Sequence, residues 1–129
     1  MITVDASALL AALLEEDDAE HFLLRLAEAG AAVMSSVNYW EALVRAHAVH
    51  GDRGYGLVDR LMATFNIRIA PVDAATAREA AAAFARYRGR PARLNLGDCF
   101  AYALAQQEGD GLLFKADDFS NTDVRPASV

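Results

Sequence analysis

Cysteine is almost missing from this chain. Cys99 is the single one in 129 residues, which excludes an internal disulfide framework and a cysteine-built zinc site. Lysine is equally scarce, since Lys115 stands alone among twelve basic residues and the rest are Arg. No apolar run approaches the roughly 18–20 residues that a membrane-spanning helix needs. The opening Met-Ile-Thr-Val-Asp lacks the basic and apolar regions of a signal peptide, so a cytoplasmic protein is expected. Internal repeats, Gly/Ser linkers and a glycine-rich phosphate loop are also absent. What is abundant is apolar character, at 54% of residues, enough to fill one core. A single domain over residues 1–129 is the simplest organisation.

The formal charge of −6 argues at first against nucleic acid, because phosphate binding draws on Lys and Arg. Its distribution weakens that argument. Glu15, Glu16, Asp17, Asp18 and Glu20 crowd one short stretch, which reads as a solvated turn between helices, and elsewhere acids and bases nearly balance. If several of the remaining acids hold metal, the rest of the surface is mildly basic. Arg suits bidentate phosphate contacts, although a GC-rich genome would give the same bias.

Strand-like and helix-like runs alternate. Residues 2–5 form a short apolar run ending in Asp5, followed by an Ala/Leu-rich helix from Ser7 to Leu14. A helix over 18–29 puts Phe22, Leu23, Leu26 and Ala29 on one face, and residues 31–35 read as a second strand. Ser36 is placed to cap a helix over 37–50 whose apolar stripe is Trp40, Leu43, Val44 and His47. Gly51 and Gly54 bracket a turn into a helix over 55–64. Residues 67–70 alternate as a third strand, and Asp73 caps an alanine-rich helix running to about Arg88. A basic loop carrying Arg86, Arg88, Arg90 and Arg93 leads to a helix over 97–108. Residues 112–115 form a fourth strand, and a last short one is expected near 123–125. This alternation implies a mainly parallel sheet of four to five strands covered on both faces, a three-layer α/β/α sandwich.

In such a sheet all strands end at one edge, where ligands bind. Four acids fall at or one turn past strand–helix junctions: Asp5, Glu41, Asp98 and Asp117. Each has an ordinary alternative. Asp5 can be a helix N-cap, Glu41 can face solvent, Asp98 can answer a helix dipole, and Asp117 and Asp118 can be turn residues. Brought together, they would repel unless a hard cation were shared, and Mg²⁺ or Mn²⁺ takes such oxygen ligands. Metal-assisted phosphodiester hydrolysis is the chemistry that fits. Arg86, Arg88, Arg90 and Arg93 are candidates to hold the phosphates of such a substrate, with a solvated basic loop as the alternative. His47 and His50 lack a third zinc ligand nearby, and Cys99, Phe22, Leu26, Tyr39 and Trp40 read as core.

Four segments carry a resemblance: residues 2–8 (ITVDASA), 36–41 (SVNYWE), 94–105 (LNLGDCFAYALA) and 113–119 (LFKADDF). Together they resemble PIN-domain proteins and, more narrowly, the VapC toxins of bacterial toxin–antitoxin pairs. The resemblance spans essentially the whole chain and implies a Mg²⁺-dependent endoribonuclease held inactive by a VapB-type antitoxin, as a homodimer. By the resemblance Asp5 and Asp98 are the central metal ligands, Glu41 a third acid and Asp117 the fourth, with Asp118 an alternative to Asp117. Ser7 matches a supporting hydroxyl, and Lys115 stands where the family usually has Thr or Ser. Two other function classes remain. A phospho-acceptor domain would use Lys115 but needs an adjacent acidic pair after the first strand, where only Asp5 is present. A catalytically silent binding module would keep the fold alone.

Overall fold

In the computed structural model, which describes residues 1–115 and 117–127, the chain alternates strands and helices as the sequence pattern implies. In order the elements are β1 (Ile2–Val4), α1 (Ala6–Leu13), α2 (Ala19–Ala29), β2 (Ala32–Ser35), α3 (Ser36–His50), α4 (Arg53–Thr64), β3 (Ile67–Ala70), α5 (Ala74–Tyr87), α6 (Leu96–Glu108) and β4 (Leu112–Leu113). A 3₁₀ turn over Asp118–Asn121 follows. Local chemistry sets several starts. The side chains of Asp5, Ser35, Asp73 and Asn95 each accept a backbone N–H in the first turn of the helix that follows. Ser35, rather than the expected Ser36, caps α3.

The strands form one sheet in the order β3-β2-β1-β4, and every pair is parallel. Thr3 pairs with Val33 on one side and Leu112 on the other, so β1 is central. From β1 the chain steps outward to β2 and β3, then returns across the sheet to β4. Right-handed crossovers therefore put the two sets of helices on opposite faces. Two core clusters match. Ile2, Val4, Ala32, Met34, Ile67 and Leu113 pack with α1 to α4, while Leu112 packs with α5 and α6. Leu9 and Leu26 are buried almost completely in the first cluster, and each such side chain contributes about 1.5–3 kcal/mol. This is the three-layer α/β/α architecture, with its topological switch point between β1 and β4.

Four further expectations are corrected. β4 ends at Leu113 instead of Lys115, and no strand forms at 123–125: a single bridge joins Leu112 to Pro126. The sheet thus has four strands among the described residues. The buried face of α3 is Asn38, Ala42 and Ala46, whereas Trp40 is 61% exposed and Val44 and His47 are also exposed. The cause is close packing. α4 begins at Arg53 and crosses α3 so tightly that a Cβ on Gly54 would overlap the Ala46 backbone, so small side chains take the buried positions. Finally, the acidic stretch is more than a solvated turn, because Glu16 and Asp18 both pair with Lys115 Nζ. No helix among the described residues is long and apolar enough to cross a membrane.

Candidate active site

The switch point opens into a crevice of ≈ 320 Å³, lined by Asp5, Ser7, Trp40, Glu41, Arg45, Asn95 and Asp98 among others. Three of the four expected acids therefore meet there, delivered by the end of β1, the second turn of α3 and the first turn of α6.

Asp5 is buried and its Oδ2 has two local partners: the Ser7 N–H donates at 3.0 Å and the Ser7 hydroxyl at 2.5 Å. Ser7 Oγ in turn accepts the Lys115 N–H at 3.0 Å, which ties β1 to the segment after β4. Ser7 thus touches both Asp5 and the segment after β4. Burial raises the Asp5 carboxyl to about 6, outweighing the Ser7 hydrogen bonds, and the Glu41 charge adds to the rise. The helix-cap alternative holds for Asp5, whose carboxylate caps α1 and also lines the crevice.

Asp98 behaves the same way. Its Oδ2 accepts the Asn95 N–H at 2.9 Å while Asn95 Oδ1 accepts the Asp98 N–H at 2.8 Å, a reciprocal capping box. Burial again dominates and pushes Asp98 up to about 6, helped by the charges of Asp5 and Asp118. Glu41 is half-buried and raised by burial, with the Asp98 charge contributing and the Asn38 hydrogen bond and Arg45 opposing. Each acid thus feels at least one of the others.

Glu41 is positioned by two residues that composition alone does not reveal. Asn38, fully buried one turn earlier on α3, donates from Nδ2 to Glu41 Oε1 at 2.7 Å and to the Gly97 carbonyl at 3.0 Å, fastening α3 to the start of α6. Gly97 lies under the Glu41 carboxylate, and a Cβ there would overlap it. A polar residue three positions before Glu41 and a glycine beside Asp98 were the available sequence signals. Arg45, one turn past Glu41, is the cation on the crevice wall that spacing from Glu41 could also have flagged.

Asp117 and Asp118 are exposed at the 3₁₀ turn, and neither lines the crevice. Of the two, it is Asp118 whose charge reaches Asp98. The basic loop is pinned by buried Ala92 and Leu94 and leads straight into Asn95. Arg88, Arg90 and Arg93 are exposed on it, outside the crevice lining. Arg86 is engaged elsewhere, 3.9 Å from Asp123 and over the Tyr87 ring at 4.8 Å. His47 lies 3.2 Å from Asp52 and stacks on the Tyr55 ring. Among the described residues, no three His, Cys, Asp or Glu side chains converge tightly enough to cage an ion by themselves.

Comparison with known proteins is consistent across sequence and fold. The PIN-domain family model matches residues 2–125. Ribonuclease VapC42 of Mycobacterium tuberculosis is 42% identical over 127 residues, covering 96% of this chain and 97% of that protein. Among solved structures, VapC20 of M. tuberculosis, described as a sarcin-ricin loop cleaving toxin, superposes with a TM-score of 0.78 at 18% identity, covering 96% of both chains. VapBC2 of Rickettsia felis, bound to a DNA fragment of its promoter, gives a TM-score of 0.75 at 14% identity, covering 99% of this chain and 98% of that one.

Proposed function

This chain belongs to the PIN-domain family, among its VapC ribonucleases, and from that premise we propose that it is the toxin of a toxin–antitoxin pair. Its activity is Mg²⁺-dependent endoribonucleolytic hydrolysis of RNA phosphodiesters at the crevice of Asp5, Glu41 and Asp98. Mn²⁺ substitutes for Mg²⁺, a cognate VapB-type antitoxin silences the enzyme, and the working form is a cytoplasmic homodimer. The observation that carries the reading is the convergence of three carboxyl groups, from three separate segments, at the switch point of a parallel sheet.

The donor set fits a hard cation. Only oxygen ligands are on offer, and Asp5 and Asp98 are both held near 6 by burial and by neighbouring negative charge, a state that a cation would relieve. Asp5 and Asp98, each fixed by cap hydrogen bonds to its Oδ2, would hold the ion. A site without a full protein cage suits Mg²⁺, which keeps several waters and binds through one or two carboxylates plus substrate phosphate. When bound, the ion supplies polarisation of the phosphoryl oxygen and a lowered pKa for the attacking water.

The protein residues do the positioning and the proton handling. Asn38 holds Glu41 Oε1 and leaves Oε2 free to accept the proton of the attacking water. Water oxygen bonds to phosphorus, the bond to the leaving ribose oxygen breaks, and solvent returns a proton to that oxygen. Ser7 and Asn95 keep Asp5 and Asp98 in fixed rotamers throughout. Asp118, whose charge already reaches Asp98, is better placed than Asp117 to be the fourth acid. Arg88, Arg90 and Arg93, exposed on the loop that leads into α6, hold the RNA backbone outside the crevice.

The loose gathering of the acids favours one second reading, a binding module that has kept the fold without the chemistry. A phospho-acceptor domain is disfavoured, because Lys115 Nζ is held by Glu16 and Asp18 instead of lining the crevice. RNA cleavage with and without divalent metal separates enzyme from module.

A further inference from the structure

Trp40 is the only tryptophan in the chain, and it lies 61% exposed beside Glu41. A large aromatic side chain left in water forgoes the burial that normally fixes its place. Its surroundings are specific. Trp40, Val44 and Arg45 line the same crevice as Asp5, Glu41 and Asp98, on a part of α3 separate from the buried Asn38, Ala42 and Ala46. Arg45 forms no salt bridge with any described residue. The acid crevice is therefore lined by a flat apolar ring and by a guanidinium whose charge reaches Glu41, both carried by α3.

We propose that Trp40 is a stacking platform for an unpaired base of the RNA substrate and that Arg45 takes an adjoining phosphate. The inference rests on the ribonuclease reading and assigns to these two residues the seating of the nucleotide at the cleavage point. A paired base has both faces covered by its neighbours and cannot lie on the indole. An unpaired one can, with little dependence on sequence, because every base offers a π-face. Arg45 supplies the positive charge that brings a phosphate to a crevice whose other ionisable groups are all acids. A second copy of the chain covering Trp40 is the competing occupant.

The single tryptophan makes the test direct. In EDTA, where cleavage is off, the full chain is titrated with a fluorescein-labelled single-stranded oligoadenylate and with a duplex of equal length. Binding is read by anisotropy and Trp40 by its own emission. Single-stranded RNA should quench the emission in step with binding, and duplex should leave it unchanged. Trp40→Ala should weaken single-strand binding by about 5- to 150-fold, with Trp40→Phe retaining most of it. Arg45→Ala should lower the slope of log K against log salt by about 0.7 while quenching at saturation persists. RNA that binds without altering Trp40 emission, and equally well to Trp40→Ala, overturns the inference and leaves the ribonuclease reading standing. A blue shift with protein concentration in the absence of RNA overturns it in favour of a second copy. No RNA binding by any form overturns the inference, and cleavage of total RNA in Mg²⁺ then decides the ribonuclease reading separately.

Discussion

Replacing Asp98 by Asn should stabilise the metal-free protein at neutral pH while removing a group the proposed chemistry needs. The folded state holds this carboxyl at about 6 against an ordinary 3.8, chiefly through burial. One pKa unit corresponds to 1.36 kcal/mol, so charging it in place costs at most about 3 kcal/mol. Asp98 is partly open to solvent, and screening reduces this to about 1–2 kcal/mol. The sign follows from proton counts. Between about pH 4 and 6 the folded chain keeps a proton that the unfolded chain has released, so wild-type stability falls as pH rises through that window. The Asp98→Asn variant has no such titration and keeps an oxygen to accept the Asn95 N–H, so the capping box survives. Its advantage should be near zero below pH 4 and complete above pH 6, worth roughly 4–8 °C in melting temperature at pH 7. Urea and thermal unfolding in EDTA at fixed ionic strength, run at pH 4 and pH 7, measure both ends. A variant less stable than wild type at pH 7, or a difference independent of pH, would refute the reasoning and leave Asp98 as a helix cap alone.

Three further perturbations test the placement of the site. Gly97→Ala puts a methyl group where the Glu41 carboxylate lies; because Ala is the better helix former by about 0.8–1.0 kcal/mol, thermal melting should show an intact fold while cleavage falls at least about tenfold, and unimpaired cleavage would free Glu41 from its proposed role. Asp118→Asn should reduce cleavage more than Asp117→Asn does, since only Asp118 is seen to influence Asp98; the reverse order in initial rates would restore Asp117 as the fourth acid. Arg88→Ala should weaken RNA binding and flatten its salt dependence by about 0.7 in slope, and an unchanged slope would remove the basic loop from the RNA path.

Much of this architecture is legible in the sequence because its signals are local. Asp5 and Asp73 cap their helices as their positions imply, and the short apolar runs at residues 2–4, 32–35 and 67–70 are the three longest strands. The faces of α3 are not legible. Apolar weight points to Trp40, Val44 and His47, yet Ala42 and Ala46 are the residues packed into the core beside α4, and Asn38 is buried where α3 meets α6. Size, not hydrophobicity, decides which face is buried. The fate of Lys115 is likewise a long-range matter, since its partners Glu16 and Asp18 lie about a hundred positions away. The convergence of Asp5, Glu41 and Asp98 follows from parallel-sheet topology alone, but the props that hold Glu41, Asn38 and Gly97, emerge only when α3 and α6 meet.

The most direct measurement is cleavage of total cellular RNA by the purified chain, freed of any antitoxin, in Mg²⁺, in Mn²⁺ and in EDTA, with Asp98→Asn run alongside to expose a contaminating nuclease. Discrete products in either metal, absent from EDTA and from the variant, are the predicted result. A folded wild-type protein that yields no products in any metal, or an Asp98→Asn variant that cuts as well as wild type, would contradict the account.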